Sequence, residues 1–156
     1  MRPLSTLAAV ILLSGGLGAG FLERTGEAAQ SKGVGPITNI TLGALDPILA
    51  EKGKHIFEQK CTACHKFEER YVGPALAGVT GRRSPEWIMN MILNPQGMTD
   101  KDPVARELLG TYMTQMTFQN VSAPDARALL EYLRSVEPKK GGKAGGTAEQ
   151  KKGAKK

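Results

Sequence analysis

Histidine, cysteine and aromatic side chains are all scarce in this chain: two His, two Cys and eight Phe, Tyr and Trp among 156 residues. A core with so few rings is a weak one, so help from a disulfide, a metal or a bound group is expected. The length allows one ordinary domain with appendages and excludes a multi-domain enzyme. No stretch alternates apolar and polar residues with period two over a useful length, and no internal repeat is present, which argues against a sheet or a solenoid. Positive charge is also missing from where nucleic-acid binding would need it. The net +6 resides in residues 138–156, with seven Lys and one Glu, whereas residues 46–137 carry eleven basic and twelve acidic side chains. The body of the protein is nearly neutral, and DNA or RNA binding by it is unsupported.

What is present begins with an apolar run. Met1 and Arg2 precede the sixteen residues Leu7 to Leu22, and polar residues follow. This reads as an export leader, residues 1–28, with a cut after Ala28 or alternatively after Gly20. An uncleaved anchor is the rival reading, although the run is shorter than the roughly 20 residues of a spanning helix and holds four glycines. Either way the body is expected outside the cytoplasm: periplasmic or extracytoplasmic, soluble or membrane-tethered. Residues 29–43, rich in Gly, Pro, Ser and Thr, read as a flexible linker or extended wrap. Residues 138–156 have almost no apolar side chains and read as a disordered tail. Its lysines also suit a tether to anionic lipid or an acidic partner.

Between the appendages, residues 44–137 punctuate themselves with cap and proline signals. Asp46-Pro47 starts a helix to Gln59 with Ile48, Leu49, Ile56 and Phe57 in phase. Gly81 to Asn94 contains the start Ser84-Pro85-Glu86 and the stripe Trp87, Ile88, Met91 and Ile92, and Pro95 ends it. Pro103 to Thr111 is a third helix behind Asp102. Ser122-Ala123-Pro124-Asp125 opens a last one carrying Ala126, Leu129, Leu130, Tyr132 and Leu133. The fold class is all-α, with three to five short helices separated by long loops.

The whole cysteine inventory is one pentapeptide, Cys61-Thr62-Ala63-Cys64-His65. C-x-x-C-H is the attachment signature of a c-type haem. Two thiols three residues apart can add to the two vinyl groups of the macrocycle, and the next residue projects an imidazole at the iron. Other uses of the motif fit less well. Zinc would need about four ligands, only His55 remains outside the cluster, and Cys64 and His65 are awkward neighbours on one tetrahedral centre. A redox C-x-x-C expects a βαβ context that is missing. A disulfide across so short a loop would stabilise little. One covalent haem c through Cys61 and Cys64 is therefore expected, and it would supply the apolar mass that the ring count lacks.

An iron held by His65 has a sixth position, where a thioether raises the reduction potential and blocks outside ligands. His55, six residues before Cys61, is expected on a helix surface. Met89 and Met91 belong to the second helix, Met91 in its apolar stripe. Met98 follows Gly97 in a loop and is expected to serve packing. Met113 and Met116 lie in the loop before the last helix, where a segment can cross the distal haem face. Met116 is the expected ligand and Met113 the alternative.

Over residues 37–137 the chain resembles a class I monohaem cytochrome c. The likeness rests on Gly53-Lys54-His55-Ile56-Phe57, the Cys61–His65 motif, Tyr71-Val72-Gly73-Pro74-Ala75-Leu76, Met116 and the helix containing Asp125, Tyr132 and Leu133. The resemblance implies the class I fold around one haem. It implies that Gly53 and Phe57 pack on Leu129 and Tyr132, that the Pro74 carbonyl orients His65, and that Leu76 presses on the macrocycle. The stretch from Val72 to Pro95, with Met98 and residues 101–109, is similar to cytochrome domains associated with nitrous-oxide reductases and related respiratory reductases. Met116-Thr117 departs from the family's usual Met-Pro.

The expected function is one-electron carriage without enzymatic activity, by a monomer, between a quinol-oxidising complex or similar donor and a terminal reductase or oxidase. A membrane-anchored subunit of a larger complex is the alternative, followed by a haem enzyme or gas sensor with an open sixth position. Lys52, Lys54, Lys60, Lys66, Arg82 and Arg83 are candidates for a charged docking rim, as against ordinary solvated surface.

Overall fold

Among the described residues, five of the six helices start on a side chain that caps them and a proline that opens their first turn, and this punctuation sets the architecture. The computed structural model describes residues 31–137, so the leader or anchor at 1–28 and the tail at 138–156 lie outside the described residues. The helices are α1 Pro47–Lys60, α2 Val79–Arg82, α3 Pro85–Leu93, α4 Pro95–Lys101, α5 Pro103–Tyr112 and α6 Ala123–Ser135. Asp46, Ser84, Asn94, Asp102 and Ser122 accept hydrogen bonds from the exposed N–H groups of the first turns of α1, α3, α4, α5 and α6. Only the one-turn α2 lacks such a cap; it starts at Gly78, whose φ of +74° is open to glycine at little cost. No strand occurs among the described residues, and none of their helices is long and apolar enough to cross a membrane.

The expected loop around Met98 is instead α4. Pro95 does end α3, but it also serves as the first residue of the next helix, capped by the Asn94 side chain. Met98 is fully buried there, and its sulfur accepts a hydrogen bond from the Val34 N–H at 2.9 Å. Within the segment Gly81 to Asn94, α3 begins at the expected start, Ser84-Pro85, and residues 81–82 belong instead to the end of α2.

The first and last helices form the central crossing. At Gly53 a methyl group would lie 2.0 Å from the Ala128 carbonyl oxygen and 2.9 Å from the Tyr132 Cβ. The close partner of Gly53 is thus the backbone of α6 at Ala128, with Tyr132 beside it; Leu129 is not among its nearest neighbours. Phe57, one turn on, stacks 5.4 Å from Tyr132 and 5.1 Å from Phe67, and it shares the buried core with Leu129, Leu130 and Leu133.

Residues 31–45 form no helix or strand. They lie as a strap across α3 and α6, and buried polar side chains replace the missing backbone pairing. The Asn90 amide donates to Lys32 O and Ile37 O and accepts from Ile37 N. Glu86 accepts from Ile40 N at 3.1 Å. The fully buried Glu131 is paired with Arg127 and Arg134, which in turn donate to Thr41 O and Gly43 O. Both ends of the described chain meet the corner between α2 and α3: Ser84 Oγ donates to Ser31 O at 2.6 Å, and the Glu137 carboxylate lies beside Gly81.

Candidate haem site

The end of α1, the loop after it, α3, α5, the loop before α6 and α6 itself enclose a cavity of about 540 Å³. That is the size of a pocket for one large cofactor. All six residues expected at the site line it: Cys61, Cys64, His65, Pro74, Leu76 and Met116. Its inner wall is apolar, formed by side chains such as Phe57, Ile88, Ile92, Leu108 and Leu129.

Each functional group is placed by local structure. Cys61 caps the C-terminus of α1, and the chain then turns so tightly that the N–H groups of Cys64 and His65 both donate to Cys61 O. The two sulfurs remain free thiols, Cys61 half-buried and Cys64 exposed. Burial pushes the Cys61 thiol up to about 11, partly offset by the neighbouring Lys60. His65 Nδ1 stands 3.0 Å from the Pro74 carbonyl. A carbonyl only accepts, so Nδ1 carries the proton, and Nε2 is left with its lone pair free. Gly73 is required beside that ring, because a methyl group there would fall 2.6 Å from the imidazole Cε1.

Leu76 is held over the cavity by backbone pairing: Leu76 N donates to Lys66 O and Ala77 N to Phe67 O. Arg82 braces the same turn by donating to Ala75 O and Ala77 O. Arg83 is half-buried on the cavity wall, 5.3 Å from the Trp87 ring, with no carboxylate within 4.0 Å among the described residues. Burial, helped by Arg82, holds its pKa below the usual guanidinium value.

The methionines separate cleanly. Met116 lines the cavity from its loop, while Met113 ends α5 in a left-handed conformation and is 83% exposed. Met89 and Met98 are buried in the core; Met91 also reaches the cavity, as part of the apolar face of α3. His55 sits on the surface of α1 between Glu51 and Glu58. The cationic rim is largely engaged elsewhere. Lys52 pairs with Asp125 at 2.7 Å, Lys54 with Glu51, Lys66 with Glu69, and Lys60 donates to Gln119 O.

The chemistry of this set fits a haem bonded through two thioethers: free thiols at the rim, an imidazole with its outer nitrogen available, a thioether on the cavity wall and an apolar lining. Sequence reasoning missed three contributors: Gly73, Arg83 as a wall residue and Gln115 beside Met116. Gly73 had a signal, a glycine just before the Pro-x-Leu segment that follows the histidine; Gln115 had none.

Residues 50–137 match the family model described as "Cytochrome c". A cytochrome c2 of Rhodopseudomonas palustris is 51% identical, over 56% of this chain and 98% of that protein. A "cytochrome c-553-like" protein of Synechocystis sp. is 38% identical over 48 residues, and this chain spans under half of its length, 46%. Among solved structures, a cytochrome c from Rhodothermus marinus superposes with a TM-score of 0.64 at 48% identity, covering 65% of this chain and 89% of that one.

Proposed function

Because this chain belongs to the cytochrome c family, whose haem is bonded through cysteine thiols, here those of Cys61 and Cys64, we propose that it is a one-electron carrier whose iron is held by His65 and Met116. The observation that carries this reading is one cavity walled at once by both cysteines, an imidazole of fixed tautomer and a loop methionine.

The haem, when bound, supplies an iron that changes oxidation state by one electron. The protein's part is to make that change cost little. The Pro74 carbonyl holds the His65 ring in one orientation and makes Nε2 a stronger donor. Met116, from its loop on the cavity wall, would supply a thioether that favours the reduced state and leaves no coordination position open to outside ligands. The walls around Phe57, Ile88 and Leu129 keep water away, which lowers the rearrangement needed at each transfer. Arg83, on the cavity wall, would offer a cation to a carboxylate of the bound group. In this reading the donor is a quinol-oxidising complex or equivalent and the acceptor a terminal reductase or oxidase. The carrier works as a monomer on the extracytoplasmic side, free or tethered.

Oxidised and reduced spectra of four proteins test the assignment. Met116→Ala should lose the far-red sulfur-to-iron absorption, lower the midpoint potential and open the ferrous form to carbon monoxide. Met113→Ala and Met91→Leu should keep wild-type spectra. Loss of the band in either of those, or its survival in Met116→Ala, refutes the ligand set. The mass of the mature chain tests the covalent attachment directly.

A further inference from the structure

The segment that carries Met116 has almost nothing of its own to hold it. Residues 114–121 make no backbone–backbone hydrogen bond, whereas the turns at 64–67 and 71–79 make several. The segment starts from a left-handed Met113 and passes a second left-handed residue at Asn120, so its course is not that of a relaxed helix or strand. Two side-chain attachments fix it. On the far flank, Lys60 Nζ donates to Gln119 O at 2.9 Å, tying the loop to the last residue of α1. On the near flank, the amide of Gln115 reaches both its own loop and α4.

The geometry allows only one reading of that amide. Its nitrogen lies 3.0 Å from the Met116 carbonyl oxygen and 3.5 Å from that of Pro95. Both are acceptors only, so the NH₂ group must face them and Oε1 must face Thr99, whose hydroxyl stands 3.0 Å away. The Thr99 hydroxyl has a single proton and two further acceptors, Pro95 O and Gln96 O. The Thr99 proton is thus shared among three acceptors, and the shorter of the two bonds the amide donates, to Met116 O, is the one that acts on the ligand's own peptide. The bond to Met116 O sets the orientation of the peptide that leaves Met116, and hence the direction in which its side chain leaves the backbone.

We propose that Gln115 is a positioning residue for the sixth iron ligand: its amide N–H groups hold the Met116 peptide against the first turn of α4, so that the thioether is retained against competing ligands. This rests on the assignment of Met116 as that ligand. Loss of two donated bonds corresponds to roughly 5–30-fold in the equilibrium between a retained and a displaced thioether.

The test is a titration of the ferric holoprotein with imidazole, alongside its denaturant midpoint. Gln115→Ala should bind imidazole roughly 5–30-fold more tightly than wild type, with the far-red absorption lost at correspondingly lower imidazole. Gln115→Glu keeps the length and an oxygen toward Thr99 but has no N–H to give, and it should behave like the alanine variant. Thr99→Val should stay within about twofold of wild type, because the N–H bonds from Gln115 to Met116 O and Pro95 O do not use that hydroxyl. The denaturant midpoint should fall by no more than the same free energy, since the unfolded chain lacks these bonds too, whereas a merely structural role for Gln115 would lower the midpoint and leave the imidazole affinity unchanged. Affinities within twofold of wild type in both Gln115 variants, in a protein where Met116→Ala has lost the far-red band, overturn the proposal while leaving the ligand set intact. Survival of that band in Met116→Ala overturns the ligand assignment and the proposal with it.

Discussion

Gly53 offers a test in which two physical effects oppose each other in sign. It sits inside α1, where alanine is intrinsically favoured over glycine by about 1 kcal/mol. On propensity alone Gly53→Ala should stabilise the protein. The crossing with α6 says otherwise. The new methyl would lie 2.0 Å from the Ala128 carbonyl oxygen and 2.5 Å from its carbon. Ordinary contact begins near 3.4 Å, so the helices must separate by about 1.4 Å, and the obstacle is backbone rather than a side chain that can swing away. A gap of that size forfeits half or more of the dispersion attraction across the contact, and Phe57, Leu129 and Tyr132 pack in that same region. Overpacking of a rigid site costs about 1–3 kcal/mol and sometimes more. Because the obstacle is backbone, we take the cost as about 3–5 kcal/mol, for a net loss of about 2–4 after the helical gain. Guanidinium unfolding of the haem-loaded protein, followed by helical circular dichroism, measures it. A variant as stable as wild type, or more stable, refutes the close crossing.

Other outcomes follow from the strap, a surface pair and the cavity wall. Asn90→Ala removes three bonds and orphans the part-buried N–H and C=O of Ile37. It should cost about 2–4 kcal/mol and speed proteolytic cleavage within residues 31–45; unchanged protection would contradict the role given to the strap. The hydrogen bond from Lys52, with help from Ser122, holds the Asp125 carboxyl below its ordinary 3.8. The unfolded chain therefore binds more protons than the native one in acid, so this stabilisation is complete above about pH 5 and is lost as pH falls through the lowered value. At so exposed a pair it amounts to less than about 1 kcal/mol, and Lys52→Met should flatten the fall in stability between about pH 5 and 3; an unchanged profile counts against the pair. Arg83→Met takes a cation off the cavity wall and should lower the midpoint potential, with Arg83→Lys intermediate; a rise would place the charge elsewhere.

Much of this site was legible because its chemistry is concentrated in a few letters. Cys61, Cys64 and His65 declare a covalent macrocycle by spacing alone, and Ser84, Asp102 and Ser122 announce their helices through paired cap and proline. What stayed hidden was of a different kind. Pro95 was read as a stop, yet a proline that ends one helix is equally suited to begin another when an asparagine precedes it. That ambiguity concealed α4, although the packing role expected of Met98 agrees with its burial. Of the expected partners Leu129 and Tyr132, Gly53 meets Tyr132, but its closest approach is to the Ala128 backbone, since a residue without a side chain lets backbone come near. Asn90, Glu86 and Gln115 carry no local signal, since the groups they satisfy lie far away in sequence or in a segment with no periodicity.

The corner where Ser31 and Glu137 both touch the α2–α3 turn has an engineering consequence. With residues 31 and 137 both reaching that corner, splicing the redox domain into a surface loop of a host enzyme would make it a plug-in electron relay. By the same token, a short bridge joining 31 to 137 would let the chain be reopened elsewhere. The turn at Lys101 and Asp102 is ill suited to that cut, because the buried Asp102 carboxylate serves Ser31, Trp87 and Ala105 at once; the exposed stretch around Glu68 to Arg70 is the better place.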